Sequence, residues 1–222
     1  MLDEKGFDTW SKSYDASVKQ SDENHQYPFA GYEKVLDAIK QEVLRKPKPT
    51  ILDIGFGTAV LTKQLYDHGC LVYGVDFSKR MLAFAQEKMP EAKLLQADFT
   101  EGLPAMLKEQ KYDIIISTYA IHHLEDAKKV NFLNDLMQLL KPEGKILLGD
   151  VMFAHEDQLL DCKRHAKDAW DEDECYLVVD KLPAFPKTNM NFYPISFCAG
   201  ILEINCSYKK GSNYFYFKGI KN

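Results

Sequence analysis

The chain has 222 residues, 45% of them apolar and 12% aromatic, which is enough for one domain with a sizeable core. Its formal net charge of -5 runs against the basic face that a nucleic-acid binder needs. Five cysteines without a Cys-x-x-Cys pair, a charged N-terminus and no apolar run near the roughly 18 residues of a membrane span argue against a zinc or disulfide framework, a signal peptide and a membrane protein, and point to reduced thiols in the cytoplasm.

Along the chain, residues 31–45 place Val35, Leu36, Ile39 and Val43 on one helical face before "KPKP" stops the helix. Short apolar runs follow at 50–54, 71–76, 92–98, 112–118 and 145–151, each reading as a strand buried on both faces. Helical patterns separate them at 59–68, 79–88 and 126–141, the last with Val130, Leu133, Met137 and Leu140 in step before "KPEG". This alternation predicts a doubly wound, mostly parallel sheet with helices on both faces. The closing stretch "GILEINCSYKKGSNYFYFKGI" reads as a terminal antiparallel hairpin, its two runs separated by "KKGSN".

The first strand runs into a glycine turn, "ILDIGFGTAV" at 51–60. A dinucleotide fingerprint, G-x-G-x-x-G, would place a third glycine where Val60 stands. The alternative pattern D/E-x-G-x-G-x-G is met by Asp53, Gly55 and Gly57, with Ala59 in place of the last glycine. Glycines there let the backbone approach a ligand with no Cβ in the way. An aspartate such as Asp53 suits a ligand carrying a sulfonium and an ammonium better than a pyrophosphate.

Asp76 falls 19 residues after Gly57, at the expected carboxyl end of the second strand, where a carboxylate can accept from both hydroxyls of a ribose. That fits S-adenosyl-L-methionine and NAD equally. Phe77 is placed to lie against an adenine face, and Ser78 to cap the next helix. Asp98 and Phe99 end the third strand, an acid for an exocyclic amine beside an apolar edge. The fourth strand turns polar at Ser117 and Thr118 and then presents Tyr119, His122 and His123, at the point where a cofactor and an acceptor meet in such sheets. A histidine there can take a proton from an acceptor, which makes His123, and then His122, the candidate catalytic residues. A metal is set aside, because neighbours i and i+1 on regular structure do not face one ion.

With these motifs in place, the chain resembles the seven-stranded class I S-adenosylmethionine-dependent methyltransferases. The stretches "FDTWSKSYD", "GYEKVLDAI" and "STYAIHHL" and the terminal hairpin are similar to a family of small uncharacterised bacterial methyltransferases, often encoded near genes for sulfur amino-acid recycling. The resemblance covers nearly the whole chain. It implies S-adenosyl-L-methionine as cofactor, with Asp53, Gly55 and Gly57 at the methionine end, Asp76 on the ribose, and Asp98 with Phe99 at the adenine. Tyr14 would reach the methionine moiety from an N-terminal lid supported by Trp10, and Thr118 joins the cofactor set.

The expected organisation is one methyltransferase domain over 1–222: a lid and helix at 1–46, a cofactor-binding core at 47–152, and a substrate-side cover with the hairpin at 153–222. The motifs of nucleic-acid methyltransferases are absent from the sequence, so a small-molecule methyl acceptor is expected, without nucleic acid or membrane. The acceptor atom and the oligomeric state stay open. Two rivals remain: a non-catalytic protein that binds S-adenosylmethionine or S-adenosylhomocysteine, and a nicotinamide-dependent oxidoreductase.

Overall fold

A computed structural model describes residues 17–185 and 189–205. Tyr14, Trp10 and the second run of the expected hairpin lie outside these residues. Eight strands and six α-helices lie wholly within them, after a helical stretch at 17–23. The strands are β1 (Thr50–Ile54), β2 (Leu71–Asp76), β3 (Lys93–Gln96), β4 (Tyr112–Thr118), β5 (Leu140–Phe153), β6 (Leu177–Val178), β7 (Asn189–Pro194) and β8 (Ala199–Asn205). The helices are α1 (Tyr32–Val43), α2 (Val60–Asp67), α3 (Lys79–Lys88), α4 (Ala105–Lys108), α5 (Asp126–Gln138) and α6 (Glu156–Ala166).

The sheet order is β3-β2-β1-β4-β5-β8-β7, with β6 added on β5. Strands β1 to β5 run parallel, and β8 is antiparallel to both β5 and β7. The order reverses between β1 and β4, which opens a crevice at their carboxyl ends.

The near-continuous apolar strands divide their side chains between two cores. In β4, Ile114 and Ile116 join one cluster with Val35, Ile39, Leu61 and Met81, while Ile115 joins the other with Leu107, Leu133 and Leu136. Helices therefore cover both faces, and each fully buried aliphatic side chain contributes roughly 1.5–3 kcal/mol. At the opposite end of the sheet from the crevice, Asp113 ties β1 to β4. It accepts from Thr50 N at 2.8 Å and pairs with Lys141 and Lys46. Burial would raise this carboxyl, but the two lysines and the Thr50 amide hold it at about 2.

The elements depart from sequence expectation at the hairpin and after α5. The antiparallel hairpin forms earlier than expected: the 199–205 strand pairs with 189–194, a stretch expected to be irregular cover. The helix at α5 ends at Gln138, and "KPEG" is carried within β5. Leu140 pairs with Tyr112 across a register shift, so the stop signal produces a bulged strand start rather than a loop.

Candidate active site

The turn after β1 is built on left-handed backbone. Gly55, Gly57 and Ala59 have φ of 70°, 51° and 59°. Ala59 thus holds the conformation of the glycine it replaces, at a cost of about 1–2 kcal/mol. The two glycines serve different ends. A Cβ on Gly55 would stand 2.6 Å from the Ala120 Cβ, so its absence lets the β1 and β4 turns close on each other. Among the described residues a Cβ on Gly57 would meet nothing within 4 Å, and Gly57 lines the cleft.

Asp76 organises this turn from the end of β2. Its Oδ2 accepts from Gly57 N at 2.8 Å and its Oδ1 from Ser78 N at 2.9 Å. Ser78 caps α3 as expected, its Oγ accepting from Met81 N at 3.3 Å. Asp53 lies beneath the turn rather than in the cleft wall. It is 1% exposed, and its Oδ2 accepts from Thr62 Oγ at 2.6 Å. Its Oδ1 is buried without a hydrogen-bond partner. Burial pushes its pKa up to about 7, against the lowering Thr62 bond and with the Asp76 charge adding to the rise. A carboxyl in this position would gain from a cationic ligand nearby, which fits the ammonium and sulfonium of S-adenosylmethionine.

The cleft above is lined by Gly55, Gly57, Asp76, Phe77, Phe99, Thr118 and His123 among the sequence-derived candidates, and also by Tyr32, Met81 and Tyr119. Phe99 is buried and packs on Phe132 at 5.6 Å. Asp98 is exposed outside this lining, and its Oδ1 accepts from Thr100 N and Oγ at 2.9 and 2.6 Å. Tyr119 went unassigned in the sequence. It has a φ of 50° and a buried phenol without a hydrogen-bond partner, and burial drives its pKa well above 10.

The two histidines are held differently. His122 Nδ1 meets Asp150 Oδ1 at 2.6 Å, and Asp150 Oδ2 accepts from the amides of Ile121 and His122. Burial favours neutral His122, but the Asp150 charge and hydrogen bond outweigh it and raise the pKa. His123 lines the cleft, with Nδ1 3.1 Å from Glu174 Oε2. The stretch carrying Glu174 is tied to the turn by Cys175 N donating to His122 O at 2.9 Å. The ground for setting a shared ion aside does not hold here. Residues 121–123 form a single 3₁₀ turn rather than a regular helix or strand, and both rings come to Glu174.

Asp150 and Glu174 were missed in the sequence. Asp150 carried a signal, as a carboxylate inside the apolar run "KILLGDV"; Glu174, in an irregular acidic stretch, carried none.

An open sheet of this order, with a bare glycine turn and an acid ending β2, defines a class I methyltransferase-type fold. Residues 51–144 match a family model described as a methyltransferase domain. The chain is 39% identical over 152 residues to an uncharacterised methyltransferase of Geobacillus kaustophilus, covering 68% of this chain and 67% of that one. It is 32% identical over 178 residues to another from Alkaliphilus oremlandii, covering 80% and 79%. The chain belongs to this class I S-adenosylmethionine-dependent methyltransferase family, with S-adenosyl-L-methionine as its cofactor. The fold is shared with magnesium protoporphyrin IX methyltransferase from Synechocystis with bound SAH, at TM-score 0.59 and 20% identity over 81% of this chain and 85% of that one. It is shared too with DhpI in a SAM-HEP complex, at TM-score 0.63 and 16% identity over 89% and 93%.

Proposed function

We propose that this protein transfers the methyl group of S-adenosylmethionine to a small-molecule acceptor in the cytoplasm. The observation that carries this reading is the cleft, where the Gly57 backbone, Asp76 and His123 face one space. When bound, the cofactor supplies an electrophilic methyl on a sulfonium that leaves as a neutral thioether. Asp76 would accept from the ribose hydroxyls while anchoring Gly57, and Phe77 and Phe99 would flank the adenine. The positive methionine end would draw off the Asp53 proton and so set a carboxylate beneath itself. Tyr14 is proposed to cover that end.

His123 is the candidate for receiving an acceptor proton, since its imidazole borders the cleft. His122 is proposed as a support, because its Nδ1 is held by buried Asp150. Much of the rate would come from holding acceptor and methyl in line in a dry cleft. A small acceptor is favoured by the formal charge of -5, and among the described residues no helix is long and apolar enough to cross a membrane. The resemblance to a family linked to sulfur amino-acid recycling supports a setting in which the S-adenosylhomocysteine formed is consumed by a cleavage reaction.

The test is incubation of the protein with methyl-labelled S-adenosylmethionine and a small-molecule extract, followed by mass identification of labelled product. A labelled compound formed by wild type and lost with Asp76→Asn supports the reading. Tight cofactor binding with no label transferred from a wide acceptor panel would instead establish the non-catalytic alternative.

A further inference from the structure

Three metal-ligating side chains from two distant stretches meet at the lip of the cleft. His122 and His123 have ring centroids 4.3 Å apart. One ligand atom from each of His122, His123 and Glu174 lies within 4.8 Å of the others. Glu174 Oε2 is 3.1 Å from His123 Nδ1 and 3.7 Å from His122 Nε2. Ligand atoms bound tetrahedrally at about 2.0–2.2 Å from one ion stand roughly 3.3–3.6 Å apart, close to the two spacings from Glu174, so closing on an ion asks mainly for the two rings to draw together.

The surroundings agree. His122 gives Nδ1 to Asp150, a carboxylate that is 1% exposed, which turns Nε2 toward Glu174. A carboxylate on the far nitrogen is how metal-bound histidines are usually oriented. The nearby cation, Lys129, is engaged by Asp126 and the Cys175 carbonyl. Glu174 ends the run Asp171, Glu172, Asp173, Glu174, which adds negative potential around the site.

We propose that His122, His123 and Glu174 form a binding site for a divalent first-row transition ion, with Zn²⁺ the best match. Two imidazoles and one carboxylate suit such an ion, whereas Mg²⁺ and Ca²⁺ favour all-oxygen sets. Three protein ligands leave a further coordination position, as in catalytic rather than structural zinc sites. His123 borders the cofactor cleft, which puts the site beside the space an acceptor would enter. Resting on the methyl-transfer reading, the ion would hold an acceptor's oxygen, nitrogen or sulfur and ease loss of its proton to water, with His123 then a ligand in place of the base.

The test uses the full chain stripped with chelator and titrated with Co²⁺ under visible absorption and with Zn²⁺ in a calorimeter. S-adenosylhomocysteine affinity is measured on the same samples. The expected result is one ion per chain, with intense Co²⁺ bands that Zn²⁺ abolishes. Glu174→Gln and His123→Asn should each weaken the ion at least tenfold. No Co²⁺ bands and no Zn²⁺ heat in wild type would overturn the site, as would binding that survives both substitutions. Intact S-adenosylhomocysteine affinity alongside such a failure would remove the metal and leave the cofactor reading standing.

Discussion

Asp53→Asn should make the protein less sensitive to pH while keeping its shape. The Asp53 carboxyl is fully buried, with a folded pKa of about 7 against an ordinary 3.8. Between these values the unfolded chain has lost the proton that the folded chain retains. Stability therefore falls as pH rises, by up to about 1.4 kcal/mol per pH unit and about 4 kcal/mol in all. Below about pH 4 the group is protonated in both states, and above about pH 7 it is ionised in both, so its contribution is flat there. Asparagine has nearly the same volume, and its oxygen can still accept from Thr62, which now donates to Asp53 at 2.6 Å. Urea unfolding at pH 5, 6, 7 and 8 gives both stabilities. The mutant should gain on wild type at each step up to pH 7 and lead by several kcal/mol at pH 8. A wild-type to mutant difference constant across that range would refute a neutral, buried Asp53.

Tyr119→Phe should raise unfolding free energy by about 1 kcal/mol, because it deletes a buried hydroxyl with no hydrogen-bond partner; a lower melting temperature would contradict this. The two turn glycines should separate by assay. Gly55→Ala drives a Cβ to 2.6 Å from Ala120, so the melting temperature should fall by several degrees. Gly57→Ala meets no atom of the described residues within 4 Å, so beyond about 1 kcal/mol of backbone strain its loss should appear in cofactor affinity. Equal effects of the two on melting and on binding would show that the roles are not divided in this way.

Strands β1, β2 and β4 and helix α3 have the bounds read from the sequence, because buried parallel strands are continuous apolar runs and Ser78 marks a helix start. The partner of 199–205 was misread because β5 takes one edge of this strand and 189–194 takes the other. In 189–194, "NMNFYP" alternates polar and apolar residues only over 189–192 before Pro194. The contact of the glycine turn with its acid was legible because that motif is local, with Gly57 and Asp76 joined directly by a 2.8 Å hydrogen bond. The His123–Glu174 contact was not, because it spans 51 residues and local patterning does not encode that distance. Asp53 was read as a cleft residue since its motif position fixes its strand but not its depth beneath the turn.

The most direct measurement is a calorimetric titration with S-adenosylhomocysteine, with NADH as the control, on wild type and Asp76→Asn. Asparagine is preferred to alanine because its one oxygen can still accept from the Gly57 or the Ser78 amide, both of which alanine would leave without this acceptor. One saturable S-adenosylhomocysteine site per chain is predicted, weakened about ten- to a hundredfold in the mutant by loss of a charged hydrogen bond of about 1.5–3 kcal/mol, with no heat from NADH. Saturable NADH binding without S-adenosylhomocysteine binding, or an affinity unchanged in a folded Asp76→Asn, would contradict the account.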